Sequence, residues 1–451
     1  MAATTTDSDA DAAKPGLARR ITGPLLFLFI LGDVLGAGIY ALTGTLAGEV
    51  GGAIWIAMLV ALGLALLTAG SYAELVTKYP KAGGAAVFAQ RAYRTPLIGF
   101  LVGFCMLAAG VTSAAGLALA FAGEYLSTFL DVPAVPAAIA FLVLVALLNA
   151  RGIRESLGAN VGMTAIELTG LLLVLVTVAI MVGAGGGEPA RALELRPDVA
   201  PGTAILGGAI IAYYSFVGFE TSANVAEEVR DPSRVYPRAL FGSLLVAGIL
   251  YALIGVASAV ALPVYELAAS SGPLLAVVQA TGVGVPAWLF SAIALVAVAN
   301  GALLTMIMAS RVAYGMAVEG LLPSPLSRVL PRRQTPWVAI AATTLVAVLL
   351  TSLGDLALLA ETVVLLLLVV FISTNVAVLV LRKDQVDHDH FRVWTFVPVL
   401  GVASCILLLT QQSGQVWLYA ALLLAVGVVL YFIARATGRR TGRDHEAGRI
   451  H

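Results

Sequence analysis

Apolar stretches long enough to cross a bilayer recur along almost the whole 451-residue chain. No other feature narrows its possible folds as much. About 20 apolar residues in a helix span the roughly 30 Å of hydrocarbon in a membrane, and a soluble core has no use for so many in succession. Twelve such stretches are predicted, near 22–46, 51–77, 96–126, 133–150, 157–183, 201–228, 238–262, 283–316, 336–354, 357–381, 394–411 and 415–435. The fourth and eleventh are short. Charged residues make up 12 % of the chain and the mean hydropathy is +0.97, against about 25 % charged in soluble domains. The expected fold class is therefore all-α integral membrane, with 12 transmembrane helices. Residues 1–18 are a polar tail without the basic start, short apolar core and small-residue cleavage site of a signal peptide.

Charge tests that count. Positive residues concentrate in loops on the cytoplasmic side, so with an even number of spans alternate loops should hold them. Placing the N-terminus inside puts 24 of the 26 Lys and Arg residues on the inner side. The remaining two, Arg191 and Arg196, lie in the longest outer loop among Glu188, Glu194 and Asp198. A miscounted span would mix the two sets, so both termini are expected in the cytoplasm. The net charge of zero sums two faces separated by a membrane and says nothing about partners.

Several function classes lose their footing here. Cys105 and Cys405 sit inside apolar spans, which suits small buried thiols better than a disulfide or a metal pair. All four histidines, His388, His390, His445 and His451, fall in an inner loop or the C-terminal tail, and His388-Asp389-His390 reads as a solvated loop. The chain has no Walker A motif and no nucleophile–base constellation at membrane depth. It is not expected to be an enzyme or an ATP-driven pump. A channel would want a continuous polar stripe or a ring of charge, and this chain offers isolated acids instead. A sensor derived from a carrier would need an output domain, and none is present in the sequence.

Two interruptions of the apolar pattern carry the functional signal. One is Gly36-Ala37-Gly38-Ile39-Tyr40; the other is Tyr214-Ser215-Phe216-Val217-Gly218-Phe219-Glu220. A membrane helix keeps its backbone hydrogen bonds internal because lipid offers no replacements. Paired breaks in two halves of a chain therefore mark a carrier binding site near the bilayer midplane. Unwinding exposes N–H groups on one half-helix and C=O groups on another. Free amides around Gly36–Ile39 can hold a carboxylate, and free carbonyls at Tyr214, Ser215 and Val217 can hold an ammonium. That combination suits an α-amino acid. The competing reading is close helix packing through small residues, for which Gly32 and Gly36 have the right spacing.

The residues around the first break, Gly32-Asp33-Val34-Leu35-Gly36-Ala37-Gly38-Ile39-Tyr40, resemble the first-helix signature of the amino acid–polyamine–organocation superfamily. Tyr79-Pro80-Lys81-Ala82-Gly83-Gly84-Ala85 is similar to the family's loop between helices two and three. The likeness extends through Phe216-Val217-Gly218-Phe219-Glu220, Ala226-Glu227-Glu228 and Asp231-Pro232, and takes in Ala309-Ser310-Arg311, Tyr314-Gly315-Met316-Ala317 and Gly320-Leu321-Leu322-Pro323. The resemblance implies a five-plus-five inverted repeat with broken helices one and six, and alternating access to an amino acid or related amine. The expected organisation is a cytoplasmic tail at 1–20, a transport core at 21–385 with repeats at about 21–185 and 200–385, two further helices at 386–436, and a tail at 437–451. By the same resemblance the carboxylate-holding backbone corresponds to Gly36, Ala37, Gly38 and Ile39, and the amine-holding carbonyls to Tyr214, Ser215 and Val217. Phe216 and Phe219 resemble aromatics that help close the site.

Acids at membrane depth are costly unless paired or hydrated, and so mark function. Asp33, Glu167 and Glu220 qualify. Several relatives without sodium coupling have a lysine where Glu167 stands, so this chain departs from the family there. A carboxylate at that position can carry a proton, or ligate a cation with carbonyls near Gly32 and Leu35. Glu167 is taken as the coupling residue, with Asp33 and Thr305 as further candidates; proton coupling is expected and sodium remains open. Span three offers Thr112 and Ser113 to the substrate, and span eight Asn300 and Thr305. With few fixed charges, a neutral amino acid is the easier guest. Exchange, or transport of a cationic amino acid or polyamine, is the alternative. No cofactor, resident metal or nucleic-acid partner is expected. The partners are the substrate and the bilayer, the expected location is a plasma membrane such as a bacterial inner membrane, and the protein is a monomer or homodimer.

Overall fold

The computed structural model describes residues 21–447 apart from 37, 81–83, 152–156, 331, 332 and 334. Its elements are helices, with two isolated β-bridges among the described residues. The first half holds α1 (Gly23–Leu35), α2 (Gly38–Val50), α3 (Ile54–Lys78), α4 (Gly84–Tyr93), α5 (Pro96–Phe121), α6 (Glu124–Ser127), α7 (Ala134–Ala150) and α8 (Leu157–Gly183). The second half holds α9 (Pro201–Tyr214), α10 (Pro232–Ala261), α11 (Val264–Ala269), α12 (Pro273–Ala280), α13 (Ala287–Val318), α14 (Trp337–Leu353), α15 (Leu356–Leu381), α16 (Phe396–Thr410) and α17 (Gly414–Ala447). Prolines open several of them, among them Pro96, Pro201, Pro232 and Pro273. In the first turn a missing N–H breaks no helical bond.

Among the described residues seven helices are long and apolar enough to cross a membrane. The pair α1/α2, bent by 42° at the first break, makes an eighth. Three shorter apolar helices are α7, α14 and α16. Large apolar side chains such as Leu144, Leu349, Leu407 and Leu422 face outward, as lipid-facing residues do, while the interior holds tightly packed aromatics. The tightest lines of packing run between α5 and α13, α3 and α10, and α5 and α15.

The stretch near 201–228 departs from the simple expectation of one helix broken in two. α9 ends at Tyr214, Gly218 takes a φ of +126°, and the continuation Phe219–Glu228 is a 3₁₀ helix. The tightening has a local cause. The Thr221 hydroxyl turns back to within 2.7 Å of the Gly218 carbonyl and the Ser222 hydroxyl donates to the Phe219 carbonyl, each three residues back. Such bonds compete with the regular α-helical pattern.

One end of the bundle is capped. α11 and α12 lie across α2, where a Cβ built on Gly48 would stand 3.4 Å from Ala268 Cβ. The Glu124 carboxylate clasps the turn between them, accepting from the Ser270 hydroxyl (2.6 Å), Ser271 N–H (3.1 Å) and Gly272 N–H (3.2 Å). Nearby, Ala53 N–H donates to the Glu194 carbonyl and the Trp55 indole to that of Ala192. These bonds strap the connection between α8 and α9 over the start of α3.

Candidate functional site

The two breaks meet. A Cβ built on Gly38 would stand 2.8 Å from Ser215 Cα, and one built on Gly218 would stand 2.8 Å from the Asp33 carbonyl oxygen. Glycine at each place lets one broken segment touch the other's backbone. Tyr251, from the middle of α10, fastens both. Its hydroxyl donates to the Val34 carbonyl (2.5 Å) in the last turn of α1, and lies 3.2 Å from the Ser215 carbonyl after α9.

A cavity of about 930 Å³ opens from this junction. Of the expected site residues, Gly36, Gly38, Tyr214, Ser215, Val217, Asp33 and Thr305 line it. Its mouth lies between exposed Gln90 and Pro96, at the turn from α4 to α5, and exposed Arg311 and Glu319, near and just past the end of α13. The cavity thus reaches the end of the bundle opposite α11 and α12. The side wall from α5, α13 and α15 is small or apolar, with Gly110, Leu117, Leu304, Met308, Val363 and Leu367. Ser113 hydrogen-bonds with Tyr214 across it (2.8 Å).

The remaining expected residues are placed differently. Ala37 lies outside the described residues. Ile39 is fully buried, and its carbonyl accepts from the Thr43 hydroxyl (2.6 Å). Phe216 is also fully buried, edge-on to Tyr251 at 5.3 Å between ring centroids, and Phe219 packs against Tyr72 and Phe371. Neither ring is part of the cavity wall. The carbonyl of Tyr214 accepts from Val217 N–H (3.1 Å). Since a carbonyl has two lone pairs, Tyr214 and Ser215 can each still accept a second donor.

The acids have distinct surroundings. Asp33 accepts from the Thr221 hydroxyl, which ties α1 to the 3₁₀ segment. Glu220 turns back to accept Gly218 N–H (2.9 Å), capping the strained turn, and borders the cavity. Glu167 is fully buried away from the cavity. Its Oε1 accepts from Asn300 Nδ2 (3.0 Å), Oε2 has no hydrogen-bond partner among the described residues, and its backbone carbonyl accepts from the Tyr40 hydroxyl (2.6 Å). Thr305 does not reach it, and donates instead to carbonyls of its own helix at Gly301 and Ala302.

Sequence reasoning missed Tyr251, and it assigned Asn300 to the substrate rather than to Glu167. It also passed over Glu74, a fully buried acid whose two oxygens meet the Arg382 guanidinium at 2.8 Å each, with Val393 N–H on the same carboxylate. The signal was available, because Glu74 lies inside the apolar run 51–77. Both cysteines are free and buried. Among the described residues no group of three or more His, Cys, Asp or Glu is arranged to hold a metal ion, and His388 instead contacts the Thr77 carbonyl.

The amino acid permease family model matches residues 23–434, which covers both breaks and every helix that borders the cavity. The chain belongs to the amino acid permeases of the amino acid–polyamine–organocation superfamily. This permease is 27 % identical over 448 residues to a branched-chain amino acid permease of Bacillus subtilis (strain 168), with 94 % of each chain covered. It is 27 % identical to a methylthioribose transporter of the same organism, covering 94 % of this chain and 95 % of the relative. A cationic amino acid transporter of Arabidopsis thaliana, named as vacuolar, is 30 % identical over 82 % of this chain and 64 % of its own length. The permease is thus a membrane-embedded transporter of a small-molecule amino acid class, and its relatives include bacterial proteins.

Proposed function

We propose that this permease moves a neutral amino acid by alternating access, in symport with a proton. The observation that carries the reading is the meeting of the two breaks over one cavity. The α2 start brings amide ends, α9 brings carbonyl ends, and Gly38 and Ser215 bring them within a few ångströms. A zwitterion matches both poles. The small and apolar side wall around Gly110, Leu304, Met308 and Val363 favours an aliphatic side chain, in keeping with the name of the branched-chain relative.

The same reading takes the chain as twelve spans, with a transport core at 21–385 built of two inverted repeats and both termini in the cytoplasm. The cavity then faces inward, since its mouth lies by Gln90, Pro96 and Arg311, at the end to which the charge distribution assigns the inner loops. Glu167 is the proton carrier. By the family resemblance it stands where several relatives have a lysine, and it sits beside the segments that form the site without being in it.

A second reading, a cationic substrate, is favoured by one feature. The cavity wall includes Asp33, Glu220, Glu228 and Glu319 against Arg311 alone, and plant relatives are named for cationic amino acids.

The deciding test is uptake of a labelled amino acid mixture into proteoliposomes, with and without an inwardly directed proton gradient. Accumulation of an aliphatic amino acid only with the gradient supports the first reading. Uptake confined to lysine or arginine supports the second. Silence in every condition, including sodium gradients and internal amino acid loads, overturns both.

A further inference from the structure

Glu167 and Asn300 are buried together between α8 and α13, and their contact is the one hydrogen bond made to the Glu167 carboxyl among the described residues. Three neighbouring hydroxyls are committed elsewhere. The Tyr40 hydroxyl serves the Glu167 backbone carbonyl, the Tyr251 hydroxyl the carbonyls of Val34 and Ser215, and the Thr305 hydroxyl its own helix. The titratable groups facing Glu167 are Asp33 from α1, Tyr40 from α2 and Tyr251 from α10. α13 contributes the uncharged Asn300, and α12, also packed on α8, has no titratable side chain.

We propose that Asn300 is a positioning residue for proton coupling: it holds Glu167 by Oε1, so that Oε2 is the atom that gains and loses the transported proton. The inference rests on the reading of Glu167 as the proton carrier. An ionised carboxylate walled off from water with one donor is expensive to keep. Forming the O–H bond at Oε2 removes the charge, and returning the proton to water restores it. The Asn300 N–H stays on Oε1 through both states, so the carboxyl does not rotate between loading and release.

The coupling to substrate follows from the neighbours. Tyr40, bonded to the Glu167 backbone, lies two residues beyond Gly38, and Val34, bonded by Tyr251, two residues before Gly36, so a shift of either half of the broken helix pulls on the surroundings of Glu167. Tyr125 extends the connection by donating to the Tyr40 carbonyl (2.8 Å), which links the capped end of the bundle to the same place.

The test is the pH profile of gradient-driven uptake in proteoliposomes for the parent, Asn300→Leu and Asn300→Asp. Losing the donor makes the Glu167 anion harder to form, so Asn300→Leu should move the midpoint of the profile up by about one pH unit or more. That is about a tenfold change in proton concentration. Asn300→Asp puts two carboxyls on one site, and should broaden the profile into two steps; it also tests the inference if Asn300→Leu does not fold. A parent midpoint and slope in either transporting variant, or a raised amino acid KM at an unchanged midpoint, overturns the role of Asn300. A parent with no response to the proton gradient overturns the proton-carrier reading itself, which keeps the two failures distinct.

Discussion

Gly38 and Ser215 stand so close that a single methyl group on Gly38 would come within 2.8 Å of Ser215 Cα and 3.0 Å of Ser215 Oγ. The contact joins the first broken helix to the second, and both residues border the cavity. Gly38→Ala therefore has to push the two segments apart. Uptake should fall at least about tenfold, because a misplacement of about 1 Å is enough to spoil a positioned site. Gly63→Ala is the matched control, since a Cβ there meets nothing within 4 Å. Labelled uptake alongside size-exclusion profiles separates the two. A Gly38→Ala protein that transports like the parent would remove the contact from the mechanism.

Thr221 and Asp33 form the second tie between the breaks. Thr221→Val keeps the shape and removes one hydroxyl donor from the Asp33 carboxylate, and a hydrogen bond to a charged group is worth about 1.5–3 kcal/mol. The expected outcome is a KM raised by about tenfold or more, read from concentration-dependent uptake. Asp33→Asn retains an acceptor for Thr221 and should be milder, unless the Asp33 charge itself meets the substrate amine. A more severe effect of Asp33→Asn would identify that contact.

Glu167→Gln keeps the size of the side chain and can still accept from Asn300, but cannot release a proton. It should exchange internal for external amino acid while failing to accumulate it against a gradient. Counterflow and gradient-driven uptake measured on the same vesicles decide it. Accumulation equal to the parent's would end the carrier role of Glu167.

Glu74 and Arg382 form an ion pair at the ends of α3 and α15, with side chains 1 % and 11 % exposed. Removing one partner strands a buried charge and costs about 3–5 kcal/mol, whereas replacing both by apolar residues is often tolerated. Thermal unfolding in detergent should therefore rank Glu74→Met as less stable than the double variant Glu74→Met/Arg382→Met. Equal losses in the two would mean that the pair itself, and not the stranded charge, dominates.

The Glu124 clasp makes a prediction about conformation. Three donors from residues 270–272 converge on one carboxylate at the capped end, and charge-assisted bonds of this kind are stronger than neutral ones. Glu124→Gln should loosen α11 and α12 from α2 and expose a cysteine placed at Leu267, which is fully buried against α2, to a membrane-impermeant thiol reagent. Unchanged labelling of Leu267→Cys on adding Glu124→Gln would show that the clasp does not hold the cap.

The apolar runs, the uneven distribution of Lys and Arg and the two glycine-marked breaks were legible along the chain because each depends on local chemistry: transfer of side chains into lipid, attraction to one membrane face, and backbone left without internal partners. The stretch near 201–228 was legible as a break, but its 3₁₀ continuation depended on the hydroxyls of Thr221 and Ser222 turning back on the chain. The partners were not legible. Glu167 pairs with Asn300 across 133 residues, Glu74 with Arg382 across 308, and Tyr251 with Val34 across 217. Helices that are apolar on every side give little sign of which face turns inward, so sequence alone placed Phe216 at the cavity and Asn300 beside the substrate. Those choices belong to the rotation and crossing of packed helices. Where lipid and protein interior are equally apolar, close packing and a few buried hydrogen bonds decide them.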